Sequence, residues 1–223
     1  MNSEFFISNT THKLNCMVYY PDNYKDLPLL VYLHGAGVRG EVVEHLTRHG
    51  IPRLISEGRE ISAVVLCPQC PRNFIWNNVT EEVKDIILET AEKYEIKKDR
   101  VVITGSSMGG YGTWETAMCY PELFAAAAPV AGGGVTFRTG KLKNMPIRAY
   151  HGTNDDAVEF INSELMVNAT LRHGGKAELV ALEGMGHNDA IDYAYRSTEI
   201  IDWLLEKRKT DFSRMPEPCE EWF

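Results

Sequence analysis

Short apolar runs alternate with amphipathic stretches along this chain, the pattern of a mostly parallel sheet carrying helices on both faces. Residues 29–33, 63–66, 101–104, 125–130, 147–150 and 177–182 read as buried strands, most of them apolar on both sides. Residues 4–8 and 14–20 come before them and predict an antiparallel pair at one edge, for a sheet of about eight strands. Thr80, followed by Glu81, Glu82 and Val83, reads as an N-cap and an acidic first turn, with Val83, Ile86, Ile87 and Ala91 on one face. Residues 160–173 form a second helix, stopped by Gly174-Gly175. Residues 188–207 predict a third, with Ile191, Ala194, Tyr195, Ile200, Ile201, Leu204 and Leu205 on helical spacing. Without repeats or a low-complexity linker, residues 1–209 are expected to be one α/β domain. Residues 210–223 form a polar tail without periodicity. It is either a loose end or a segment that docks Trp222-Phe223, on its own chain or on a partner subunit as a homodimer.

Composition narrows the partners. A chain of 223 residues that is 44% hydrophobic can bury a sizeable core. Its net charge is −8, and its one unbroken run of three cations, Lys207-Arg208-Lys209, sits at a predicted helix end, where it complements the dipole. Binding to nucleic acid would need clustered cations and is not expected. No run approaches the roughly 18 to 20 apolar residues of a membrane span. The start, Met1 to Ile7, lacks the charged and long apolar regions of a signal peptide. Five scattered cysteines read as reduced thiols, so a cytoplasmic location is expected, although a form already stripped of a leader would read the same.

The chemistry begins at Gly105-Ser106-Ser107-Met108-Gly109. An apolar strand runs into Gly-x-Ser-x-Gly with a helix expected from Gly110, which is the strand-turn-helix context of a nucleophile elbow. Ser107 must occupy a sharp turn, and glycines at 105 and 109 let the flanking backbones approach. A serine hydroxyl needs a base, and the base needs an orienting group. Of seven histidines, His187 lies in a glycine-rich loop after the last strand, where it can return over the elbow. His45 and His49, four apart on a helical stretch, have Leu46 where a zinc-protease motif needs Glu, so no metal is expected there. Asp155 and Asp156, after the penultimate strand, both qualify as the acid by type. Chain order is then Ser, Asp, His, the α/β-hydrolase order.

Leu33-His34-Gly35-Ala36-Gly37 follows the first buried strand and can aim backbone N–H groups inward as an oxyanion hole. Ala36 and Met108 are the expected donors, with Gly37 next and also a candidate for contact with substrate. His34 and His151, each before a glycine at a strand end, read as structural. Cys67-Pro68-Gln69-Cys70 lacks the second ligand pair of a zinc site and a helix start for redox chemistry, and reads as a structural loop. No cofactor is expected.

With these residues placed, the chain resembles an α/β-hydrolase serine esterase over most of residues 14–206. More narrowly, it is similar to the compact bacterial peptidase-like and phospholipase/carboxylesterase-like group, related to feruloyl and polyhydroxybutyrate-depolymerase-type esterases. The carriers are Leu33 to Gly37 with Arg39-Gly40, Cys67 to Cys70 with Trp76, Gly105 to Gly112 with Thr113-Trp114, residues 121–126, His151-Gly152 with Asp155 and Val158, and Gly186-His187. The resemblance implies Asp155 rather than Asp156 as the acid, and a triad of Ser107, Asp155 and His187. Glu159 stands where the family usually has proline. Trp76 either lines the acyl or alcohol pocket or packs the loop. The implied activity is hydrolysis of small esters through an acyl-enzyme. A feruloyl or acetyl esterase acting on oligosaccharide esters is the near alternative, and a catalytically decayed binding protein the distant one. Between the strands ending at Val130 and starting at Ile147 lie about sixteen residues, too few for a lid domain, so an open site for short-acyl or aryl esters is expected.

Overall fold

The computed structural model describes residues 1–211. One sheet holds eight strands: β1 (Asn2–Ile7), β2 (Asn15–Tyr20), β3 (Leu29–Leu33), β4 (Val64–Gln69), β5 (Val101–Ser106), β6 (Ala126–Val130), β7 (Ile147–Gly152) and β8 (Ala177–Leu182). Their spatial order is β1-β2-β4-β3-β5-β6-β7-β8. The expected antiparallel pair, β1 and β2, forms one edge and joins β4 antiparallel, and every other pairing is parallel. The central strands β3, β4, β5 and β6 are buried along their whole length, which their apolar runs require. β8 is half exposed because it has a strand on one side only.

Alternate residues of each strand feed two cores. Leu29, Val31, Leu33 and Ile103 face a layer built on α2 (Thr80–Lys93), α3 (Met108–Cys119) and α4 (Ile161–Arg172). Leu30, Tyr32, Val65 and Val102 face a layer built on α1 (Gly50–Ser56), α5 (His187–Ser197) and α6 (Ile200–Leu205). This is the α/β-hydrolase architecture, and the stretch from 131 to 146 holds a 3-10 turn, Thr136–Leu142, in place of a lid.

Local chemistry moved several expected boundaries. The single helix expected over residues 188–207 is two. The backbone turns extended at Thr198 (φ −108°, ψ 170°), where the hydroxyl donates to Ala194 O (2.6 Å) and accepts the N–H of Ile200, the first residue of α6 (3.3 Å). Thr80 is the first residue of α2 and makes no side-chain cap. Cys67, Pro68 and Gln69 belong to β4 rather than to a loop. Pro68 is tolerated because β3 pairs with β4 only as far as Leu66, which leaves no donor missing on that side. Among the described residues no helix is long and apolar enough to cross a membrane. From residue 212 on, the expected tail with Cys219 and Trp222-Phe223 lies outside the described residues.

Candidate active site

β5 delivers Ser107 to the carboxyl end of the sheet. Its N–H donates to Val130 O (2.9 Å) and its backbone sits at φ 58°, ψ −120°, a strained conformation for a residue with a side chain. The turn is possible because Gly109 passes directly under β3, where an added Cβ would overlap the Leu33 carbonyl oxygen. α3 begins immediately after Ser107, at Met108 rather than at Gly110.

The acid and the histidine come from the neighbouring strands β7 and β8. Their loops are joined by hydrogen bonds from Thr153 N–H to Leu182 O (3.1 Å) and from Asn154 N–H to Met185 O (3.1 Å). Gly152 abuts the second loop, with no room for a Cβ between it and Met185 O. Gly186 ends that loop, and His187 is the first residue of α5 rather than a loop residue.

Ser107, His187 and Asp155 meet in one chain of hydrogen bonds. The carboxylate of Asp155 accepts the His187 Nδ1–H at Oδ2 (2.6 Å), which leaves Nε2 as the acceptor for the Ser107 hydroxyl (2.9 Å). Asp155 is fully buried at its side chain, and its Oδ1 accepts the N–H groups of Ala157 (3.0 Å) and Val158 (2.8 Å). Asp156 is exposed.

Across the elbow, β3 leads into a 3-10 turn, Ala36–Val38. The first N–H groups of a helix or turn have no partner within it, and Ala36 and Met108 hold those positions. The Gln69 amide holds the turn in place by donating to Val38 O and Val42 O (both 2.9 Å). Ala36 and Gly37 are exposed and border the same cleft as Ser107 and His187.

Trp76 is corrected. It is wholly buried, its indole N–H donates to His34 O (2.9 Å), and its side chain fills the space beside Gly112. It packs the loop against α3 and cannot touch a substrate. His34 is the brace of this corner: Nδ1–H donates to Gly35 O (2.7 Å), Nε2 accepts Cys70 N–H (3.0 Å), and the ring lies edge-on to Trp76.

Burial pushes the His34 pKa down from 6.5 to about 4. The unfolded chain therefore binds a proton that the folded chain refuses. This penalty is absent above about pH 6.5, grows as the pH falls, and is complete near pH 4, where it reaches about 3 kcal/mol. Urea unfolding of the wild type and His34→Gln should differ in pH slope across this window, with the variant flatter; equal slopes would remove the argument.

The open cleft beside Ser107 has a volume of about 560 Å³. Its lining includes the polar side chains of His49, Arg53, Asn188, Asp189 and Asp192 beside the apolar Val38 and Ile191. Arg53 on α1 pairs with Asp192 on α5 (3.6 Å), a link between the lining and the histidine's helix. Asn188, Asp189 and Asp192 could have been read from the sequence as the turn that follows His187. His49 and Arg53 could not, since residues 43–48 form a 3-10 turn, His49 is extended, and α1 starts only at Gly50. For the same reason His45 and His49 share no helical face.

Known proteins resemble this chain in sequence and fold. The phospholipase/carboxylesterase family model matches residues 71–196, and the Esterase family model matches residues 7–133. A bifunctional acetylxylan esterase/xylanase of Neocallimastix patriciarum is 32% identical over 64% of this chain, which spans 22% of that protein. A probable feruloyl esterase C of Aspergillus oryzae is 25% identical over 84% of the chain and 73% of its own length. The crystal structure of a thermostable esterase superposes with a TM-score of 0.80 at 29% identity, covering 92% of this chain and 63% of its own. With the family models spanning most of the sheet and both site loops, this chain belongs to the phospholipase/carboxylesterase family of α/β hydrolases.

Proposed function

We propose that the protein is a serine carboxylesterase that hydrolyses small esters through an acyl-enzyme. The observation that carries the reading is the unbroken run of hydrogen bonds from Ser107 through His187 to the buried Asp155. In this reading the Ser107 oxygen attacks the ester carbonyl as its proton passes to His187 Nε2. The Ala36 and Met108 N–H groups then take the oxyanion, and losing one such donor costs about 2.7 to 4 kcal/mol. The protonated imidazole gives its proton to the departing alcohol, leaving an acyl group on Ser107. Water, deprotonated by the same nitrogen, repeats the attack and releases the acid. Asp155 holds the imidazole in the tautomer both halves need.

The hydrogen-bonding side chains in the cleft lining, His49, Arg53, Asn188, Asp189 and Asp192, favour a second, narrower reading, in which the alcohol is hydroxylated, as in acetyl or feruloyl esters of oligosaccharides. The acetylxylan and feruloyl esterases among the relatives support it. The buried, unpaired thiols Cys16, Cys67 and Cys70 support a reducing, cytoplasmic setting, which is part of the proposal.

A fluorophosphonate probe should label Ser107, located by peptide mass spectrometry, and the unlabelled protein should hydrolyse p-nitrophenyl acetate and butyrate about tenfold or more faster than the palmitate, the scale on which a pocket rejects a methylene it cannot hold. Failure to label Ser107 would remove the esterase reading, and a preference for palmitate would remove the open short-acyl site.

A further inference from the structure

A second histidine stands against Asp155. His151, near the end of β7, is wholly buried, and its Nε2 lies 2.8 Å from Val158 O and 3.3 Å from Asp155 Oδ2. A carbonyl oxygen only accepts, so Nε2 carries a proton, and that N–H is shared between the carbonyl and the carboxylate. Nδ1 lies 2.7 Å from the hydroxyl of buried Ser163, which is itself 2.8 Å from Gly132 O. Burial pushes the ring's pKa down, and the Ser163 hydroxyl, whose one proton goes to Gly132 O, turns an oxygen lone pair toward Nδ1. The Phe160 ring packs edge-on against it at 5.7 Å. Both ring nitrogens have an oxygen within hydrogen-bond distance.

We infer that His151 is a positioning residue: its Nε2–H holds Asp155 Oδ2 and Val158 O together, so that the carboxylate meets the His187 Nδ1–H in one orientation. The inference rests on the triad reading above. Its physical reason is the origin of the other anchors. The two N–H groups on Oδ1 come from residues 157 and 158 of the same loop and move with it. His151 instead sits in the sheet, where it pairs with Ala181 of β8. It is the contact that references the carboxylate to the rigid scaffold, and the spacing of four residues across Gly152 brings the ring back over the turn. A misplacement of about 1 Å near reacting groups can cost about a hundredfold in rate, so the anchor bears on turnover more than on substrate binding.

The test compares two amides in the full chain. Gln at 151 can carry an N–H to the place of Nε2, whereas Asn reaches only the place of Nδ1 and the Ser163 hydroxyl. With p-nitrophenyl acetate, His151→Gln should keep kcat within about fivefold of the wild type, while His151→Asn and His151→Leu should lose about ten- to a hundredfold in kcat at nearly constant KM. The low-field proton resonance of the His187 Nδ1–H should persist in the Gln variant and shift upfield in the Asn variant, a signature that a mere packing defect would not produce. Equal kcat in Gln and Asn variants, with that resonance unmoved, overturns the role of His151, and it does so even where the Leu variant fails to fold. A wild type that neither hydrolyses the ester nor labels at Ser107 overturns the triad reading instead and takes this inference with it.

Discussion

Ser107→Ala should lower the hydrolysis of p-nitrophenyl acetate by roughly a millionfold, the scale on which removing the nucleophile acts in a serine triad. The loss is confined to chemistry because, among the described residues, the deleted oxygen has one hydrogen-bond partner, His187 Nε2. The backbone bond from residue 107 to Val130 O stays, and alanine bears the positive φ no worse than serine does. The folded state should therefore keep the wild-type urea midpoint and far-ultraviolet spectrum. The Ala36 and Met108 amides remain, so a residual rate above that of water is expected from the oxyanion site alone. Turnover within tenfold of the wild type in the purified variant would mean that another group attacks the ester.

Asp155→Asn should cost about ten-thousandfold in kcat, the scale of a triad histidine locked in the wrong tautomer. The geometry here explains why an isosteric change is so damaging. Oδ1 accepts two backbone N–H groups, so the asparagine oxygen takes that place and its NH2 faces the imidazole. Two N–H donors then confront each other where Oδ2 had accepted the His187 Nδ1–H at 2.6 Å, and the His151 Nε2–H, 3.3 Å away, is turned against the same amide. His187 escapes by moving its proton to Nε2, which faces Ser107 and can no longer act as base. The rate should recover partly at high pH, where hydroxide substitutes for the missing base, and the fluorophosphonate labelling rate should fall in step with kcat. A loss of less than about tenfold would show that the carboxylate neither orients nor charges the ring.

Much of this architecture is legible along the chain because the central strands are buried on both faces and must be continuously apolar. β3, β5, β6 and β7 each coincide with an apolar run to within one or two residues. The elbow is legible for a different reason: the close passage of Gly109 under Leu33 and the approach at Gly105 restrict both places to glycine, so the turn is written in residue types. Elsewhere local competition overrides the apolar pattern. Thr198 has no hydrophobic signature, and the backbone turns extended there, where its hydroxyl bonds to Ala194 O and Ile200 N–H, within a stretch whose apolar spacing runs on unbroken. Trp76 sits among motif residues on a connecting segment, where sequence alone allows a pocket role, but its indole is buried against α3 with its N–H on His34 O.

Taken alone, the amino-acid sequence determined the layered sheet, the strand-to-helix turn at Ser107 and the residue types able to act there, since burial and steric limits act on each residue locally. Only the tertiary structure decided which residues meet. Parallel pairing of β7 with β8 sets two loops side by side, and their mutual hydrogen bonds bring Asp155 to His187. The same packing turns Trp76 inward, aims His49 and Arg53 at the cleft, and stands His151 against the carboxylate. Such contacts join residues far apart along the chain, and their geometry depends on how whole elements pack, which no local pattern of side chains encodes.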